Sequence, residues 1–452
     1  MKDTSGELGQ LDIGRLLLKQ AVPASVGFLV MSIYSIVDTI YVGHWVGSLG
    51  IAAITVVMPL TFLISSIGMA VGVGGASIIS RALGSGNREK AYHTFGNQIG
   101  FTLSLSLVVV FISSWYDAPI LQLFGGHGEI LPYAQDYFEI LVPGIPFLAW
   151  AMMANNVIRA EGKARWAMYT LIIPAIINII LDPIFIIWLD MGLKGAAWAT
   201  LISYLFSAGY TCLFFFSKWT EMKFYWKSLI PDLSILKELF SIGSITLARQ
   251  GSVSLLTVVL NHSLFSYGGE MGIAIYGVIN RISLFALFPV IGVVQGFLPI
   301  AGYNYGAKNW DRVKEAISVA YRYGTGVCFL IFLLILAFAP WITAAFTQDE
   351  ELLNSAPFAM RMVFLAVPLV AVQLIGSAYF QAIGKAVPAL LLTLTKQGFF
   401  LIPLVSIFPL IWGIDGIWYS FPVADVLSAS VTWWYVRQAV KKQLPQTEST
   451  SN

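Results

Sequence analysis

Six ionisable residues of this 452-residue chain stand inside long apolar runs: Asp38, Asp182, Arg249, Arg281, Lys396 and Asp425. A charge in hydrocarbon-like surroundings costs at least about 2.5 kcal/mol, so each of them implies a task or a partner. Asp38 lies in "SIVDTIYVGHW", among Ile36, Val37, Ile40, Tyr41 and Val42. Asp182 lies in "NIILDPIFI", where Asn178 precedes it by one helical turn and shares its face. Pro183 follows and donates no backbone bond, so the carbonyl of Ile179 is expected to lose its helical partner. At 1.5 Å per residue Asp38 is about 9 Å from the run's end at His44, and Asp182 about 12 Å from Asp190. Thr200 reaches a similar depth in the run that follows Gly192. Two carboxylates in a secluded, partly apolar cavity suit a proton relay or a small-cation site, because desolvation and mutual repulsion both oppose two bare charges. They would also attract or repel a cationic substrate according to whether a proton is bound. The plainer alternatives are a kinked helix with a locally satisfied polar patch, and for Thr200 ordinary helix packing.

Arg249, Arg281, Lys396 and Asp425 each stand about ten residues or more into a run, near its middle. They are expected either to pair into a cluster that locks their helices or to let Asp425 exchange basic partners while binding a cation or proton. Pro23, with Gly27 one turn on, sits low in the first run and is either a static kink or a hinge. Stretches such as "GIPFLAWAMMANN" are Met-rich and aromatic, as promiscuous surfaces for organic cations are, although lipid and helix packing use the same residues.

The elements that must hold these groups follow from composition. The chain is 57% hydrophobic and 11% charged, against roughly 25% charged in an ordinary soluble protein. There are too few charges to coat two or three soluble domains, so the expected solvent is lipid. Twelve runs long enough to span a bilayer lie near 15–40, 50–75, 93–114, 131–157, 165–189, 192–217, 238–264, 271–300, 317–342, 355–380, 386–412 and 416–437. β-barrel strands would be ~10-residue alternating segments and do not fit. The opening "MKDTSGELGQLDIGR" is polar and the run after it is too long for a cleavable signal. Cys212 and Cys328 lie in apolar runs without His or Cys neighbours, which predicts neither a disulfide framework nor a zinc site.

Most of the 26 Lys and Arg residues, among them Lys2, Arg15, Arg81, Lys163, Lys218, Lys223, Lys385 and Arg437, fall on the side that carries both termini. Lys194, Arg361 and acidic loops such as "TQDEEL" fall on the other. Positive loops stay inside, so both termini are expected in the cytoplasm. Topology thereby accounts for the basic residues, and the net charge of +2 gives no reason to expect a nucleic-acid partner.

The chain also repeats itself. "GIAAITVVMP…GVGGASIISRALGSGN" from Gly50 matches "GIAIYGVINR…VQGFLPIAGYNYGAKN" from Gly272, pairing Gly74 with Gly296 and Gly84 with Gly306. "RAEGKA" matches "QAIGKA" at the same offset, and "MGLKGAAW" matches "WGIDGIWY" one residue short of it. Six spans per repeat is even, so the repeats run parallel and are expected to flank a central cleft worked by alternating access. The expected organisation is a six-helix lobe at 1–216, a cytoplasmic linker at 217–238, a second lobe at 239–437 and a tail at 438–452. The fold class is an all-α membrane protein of twelve transmembrane helices in two parallel six-helix repeats.

The stretches "VDTIYVGHWVG", "SRALGSGNREKA", "RAEGKARWA", "NIILDPIFI" and "GYNYGAKNWDRVKEA" together resemble the multidrug and toxic compound extrusion (MATE) transporters, most closely the DinF-type branch. The resemblance covers both halves. It implies a bacterial inner-membrane antiporter, acting as a monomer without a cofactor, that exports amphipathic, mostly cationic drugs against protons. It assigns the amino-terminal coupling site to Asp38, Asn178 and Asp182, with Thr200 as neighbour, and a proton-linked bend to Pro23. The NorM-type branch carries carboxylates on helices seven and ten; "SVSLLTVVLNHSLF" and "VAVQLIGSAYFQAIG" have none, which leaves the role of Asp425 open. Sodium at the same oxygens is an alternative coupling ion. A lipid-linked-precursor flippase stays open because of Arg249, Arg281 and Lys396. A membrane enzyme is disfavoured, since His44, His93, His127 and His262 are scattered at run ends and in loops.

Overall fold

The computed structural model describes residues 5–346 and 349–443. Lys2, part of the acidic loop at 347–352 and the tail beyond 443 lie outside the described residues. Every regular element among the described residues is helical. The first half contributes α1 (Ile13–Trp45), α2 (Ser48–Gly84), α3 (Arg88–Trp115), α4 (Ile130–Ala160), α5 (Ala164–Trp188) and α6 (Gly192–Phe216). Leu233–Gly306 is 74 residues long and breaks at Gly269, whose φ of 58° and ψ of −150° no helix contains, so it is two helices, α7 before that glycine and α8 after it. Then come α9 (Trp310–Ala344), α10 (Glu350–Ala382), α11 (Ala386–Trp412) and α12 (Ile414–Gln443). Counting Leu233–Gly306 once, α1 to α11 are ten helices apolar and long enough to cross a membrane. The break at Gly269 makes these eleven, and α12, which is as long but less apolar, completes twelve long helices among the described residues.

The internal repeat is visible in the backbone. Gly162 and Gly384 end α4 and α10 in the left-handed region, at φ 78° and 81°. In each turn the next residue's N–H bonds back into the helix, Lys163 to Ile158 O at 3.2 Å and Lys385 to Phe380 O at 2.8 Å. These are the glycine-closed helix ends that an L side chain disfavours. Gly192 and Gly413, matched near the ends of the repeats, have φ of 55° and 57°.

The chain divides into two compact units, one of residues 5–7 and 26–246, the other of residues 8–25 and 247–443. Two helices are therefore each divided between units. The early part of α1, through Ser25, belongs to the second unit, and the early part of α7, through Thr246, belongs to the first. Repeat-mated glycines make both packings possible. A Cβ on Gly74 would run into the Leu239 carbonyl of α7, and a Cβ on Gly296 would meet Ala21 N at 2.9 Å and Gln20 Cβ at 3.0 Å on α1. Gly74→Val and Gly296→Val are each expected to cost about 1–3 kcal/mol through overpacking, read as a lower Tm in detergent. Gly209→Ala, where a Cβ meets nothing within 4 Å, is the control expected to leave Tm unchanged. An unchanged Tm in both valine variants would contradict the close approach.

The apolar core of the first unit gathers Val42 of α1, Val56, Val57 and Ile64 of α2, Tyr137, Phe138 and Leu141 of α4, Ile186 of α5 and Ala196 and Ala197 of α6. The start of the linker is tied to the same unit. Glu161, fully buried, accepts from Thr220 Oγ1 at 2.7 Å, Glu221 N at 2.9 Å and Lys163 Nζ at 2.9 Å. Lys163 also donates to the Trp219 carbonyl, and Trp219 stacks on Trp166 with centroids 4.2 Å apart. Burial pushes the Glu161 carboxyl above its ordinary value, against the pull of Lys163 and its other donors.

Candidate functional site

Asp182 is the last residue of the regular part of α5. Pro183 follows, and the chain widens into a π-helical segment, Pro183–Trp188. A proline ring clashes with the turn before it and removes a backbone donor, and an extra residue in the turn is one way a helix absorbs both. Gly195 lets α6 lie against this widened turn, for a Cβ there would meet Phe185 O at 2.8 Å. That approach brings Thr200 beside α5. Asn178 Nδ2 donates to Asp182 Oδ1 and to Thr200 Oγ1, both at 3.4 Å. Asn178 and Asp182 are almost wholly buried.

Asp38 reaches this group from the later part of α1, within the same unit. Its carboxyl and that of Asp182 are within hydrogen-bonding reach of each other. Asp38 Oδ1, Asp182 Oδ2 and Asn178 Oδ1 are all buried, and among the described residues none has a donor. Buried acceptors without donors are costly. Two carboxyl groups in contact remove the conflict when one carries a proton shared with the other, or when a cation lies between them. The arrangement can thus hold a proton or a small cation and release it again.

The structure adds three tyrosines that the sequence reading missed. Tyr34, Tyr137 and Tyr204 all stand within electrostatic range of Asp38, and the Tyr137 hydroxyl is within hydrogen-bonding reach of Thr200. Tyr34 precedes Asp38 by one turn, and Tyr204 follows Thr200 by one turn. The same face rule that joined Asn178 to Asp182 could have found both. Tyr137 stands on α4 and shares no local spacing with the others. Pro23 lies inside α1, two residues before Ser25, where α1 passes from one unit to the other. Ser25 Oγ there donates to Ala21 O at 3.0 Å.

In the second unit, Lys396 and Asp425 form an ion pair at 2.5 Å, with the Asp425 side chain 1% exposed. Lys396 stands on a second π-helical segment, Thr395–Leu401. Its neighbour Gln397 accepts from Ser252 Oγ of α7 at 2.7 Å. Arg249 is half-buried and Arg281 is exposed, and among the described residues neither forms an ion pair. Of the four charges expected as one cluster, the structure joins two.

A twelve-helix, internally repeated membrane protein with polar groups buried deep in its spans has the construction of a secondary transporter. The chain belongs to the MatE family, whose model matches residues 23–184 and 247–407, one copy in each half. It is a transporter of the multidrug and toxic compound extrusion family and not an enzyme, and the family and fold expected from the sequence are both met. The multidrug export protein MepA of Staphylococcus aureus (strain MSSA476) is 26% identical over 416 residues, covering 92% of this chain and 91% of its own. MepA of Staphylococcus haemolyticus (strain JCSC1435) is 26% identical over 424 residues, covering 94% and 93%. Among solved structures, the outward-facing conformation of a multidrug resistance MATE family transporter superposes with a TM-score of 0.91 at 25% identity, covering 99% of both chains.

Proposed function

We propose that the chain is a secondary active multidrug antiporter of a bacterial cytoplasmic membrane, with both termini inside, exporting amphipathic and mostly cationic compounds in exchange for protons bound at Asp38 and Asp182. The observation that carries this is that two carboxyl groups stand within hydrogen-bonding reach of each other, each with a buried oxygen that no donor among the described residues reaches. A proton settles that contact; a second negative charge unsettles it. Proton loss therefore leaves a charge that must find a cation, and a cationic drug in the same lobe supplies one. Asn178 and Thr200 hold Asp182 in place, and Pro23 lets the early part of α1 turn against the part that carries Asp38. The relatives named as multidrug export proteins support the substrate class.

A second reading has its own support. Asn178 Oδ1 is a third buried oxygen without a donor, and oxygen ligands of this kind also suit a hard cation such as sodium. Efflux of ethidium from proteoliposomes separates the two. Under an imposed proton gradient without sodium, efflux is expected at the full rate, and a sodium gradient at equal pH is expected to drive none. The reverse result would overturn proton coupling and leave sodium at the same oxygens.

A further inference from the structure

The first unit holds an apolar cavity of about 980 Å³ bounded by α3, α4, α6 and the start of the linker, and none of the coupling residues lines it. That volume is at the upper end for ligand sites, which run to about 1,000 Å³. Its wall is rigid. Phe95 and Trp150 both pack on Phe215, at centroid distances of 4.6 and 6.0 Å. The indole N–H of Trp150 is already held by Thr211 Oγ1 at 2.8 Å, so the wall offers an incoming molecule little but hydrocarbon.

One end is different. The linker closes it with Lys218 and Lys223, both exposed and, among the described residues, without an ion pair. Glu221 also lines this end, but its two carboxylate oxygens accept from Ser5 N at 2.8 Å and Ser5 Oγ at 2.7 Å. The contacts of Glu161, Lys163 and Trp166 described above pin residues 219–221, so the two lysines flank a fixed strand of chain.

The setting selects the occupant. Phe216, 86% exposed, ends α6 beside the linker, and deeper along the same wall Leu103, Phe147 and Leu205 are each 38–40% exposed. The linker carries exposed Trp219, Tyr225 and Trp226, the residue types that mark the level of lipid headgroups. From Leu205, roughly 16 Å deeper along α6 than Phe216, the cavity thus runs out to the level of these aromatics and ends at two lysines without an ion pair among the described residues. Basic pockets between spans at a membrane surface take acidic headgroups. We infer that this groove binds an anionic phospholipid, with an acyl chain between α3, α4 and α6 and the phosphate against Lys218 and Lys223.

The test is native mass spectrometry of the whole transporter, delipidated in detergent and titrated with palmitoyl-oleoyl phosphatidylglycerol or its zwitterionic phosphatidylcholine counterpart. Phosphatidylglycerol is expected to bind saturably and more tightly. Lys218→Ala with Lys223→Ala is expected to weaken it about fivefold per lysine while leaving phosphatidylcholine unchanged. Gly209→Phe puts a ring into the groove, at a position where a Cβ has nothing within 4 Å, and is expected to abolish the binding of both lipids. Equal binding of the two lipids by the wild type, or wild-type binding in either variant, would overturn the assignment. So would displacement of phosphatidylglycerol by ethidium, which would make the groove a drug site.

Discussion

Asp38→Asn is expected to reduce gradient-driven drug efflux to the level of empty liposomes while the protein stays folded. Asparagine keeps the shape of the carboxyl group but can neither gain nor release the proton. The contact with Asp182 would then be held in one state, and no gradient could be read through it. The same change predicts a second, opposite effect. The new amide faces a buried carboxylate whose Oδ2 has no donor, and a hydrogen bond to a charged group contributes about 1.5–3 kcal/mol. Asp38→Asn should therefore raise Tm in detergent, or at least not lower it, as transport is lost. A merely structural Asp38 would lower both. Full drug resistance in cells that express the variant would end the coupling proposal.

The second large effect belongs to the other unit. Lys396→Ala removes the partner of Asp425 and leaves a carboxylate buried to 1% exposure without a counter-charge. Breaking such a pair from one side costs about 3–5 kcal/mol, whereas replacing both members by apolar residues of similar volume is often neutral or stabilising. The single variant is expected to show a sharply lower Tm in detergent, and Lys396→Met with Asp425→Leu to recover wild-type stability. Transport by the double variant then decides the role of the pair. Efflux at the wild-type rate assigns it to structure; loss of efflux in a stable double variant assigns Asp425 a part in transport. A single variant as stable as the wild type would show that the pair does not hold the fold.

Much of this molecule is written locally. Hydrophobic length marks a span without knowledge of its neighbours, so the long helices could be read singly, and the two runs at 238–264 and 271–300 were already separate on either side of Gly269. The repeat was legible because glycines needed for backbone reasons recur at nearly one offset; Gly162 with Gly384, and one residue short of that spacing Gly192 with Gly413, prove to share positive φ. Within a single helix the site was legible too. One-turn spacing joins Asn178 to Asp182, and it would have joined Tyr34 to Asp38 had it been applied there.

Contacts between helices were not legible, because they depend on how far each helix is rotated about its own axis and where it crosses the next. Depth along a span placed Arg249, Arg281, Lys396 and Asp425 at one level, yet only Lys396 meets Asp425. Tyr137 joins the Asp38 group from α4 with no signal in its own neighbourhood. The division of α1 at Ser25 is likewise a matter of packing, since its sequence runs on as one apolar stretch while Gly292 and Gly296 of α8 lie close against Gln20, Ala21 and Ser25. By itself, then, the sequence determined that the chain is built of long apolar helices in two copies and that Asp38 and Asp182 each stand within one of them, because hydropathy and glycine geometry act over a few residues. Only the tertiary structure decided that these two carboxyl groups come within hydrogen-bonding reach and that each keeps a buried oxygen without a donor among the described residues, because both follow from the close approach of α1, α5 and α6.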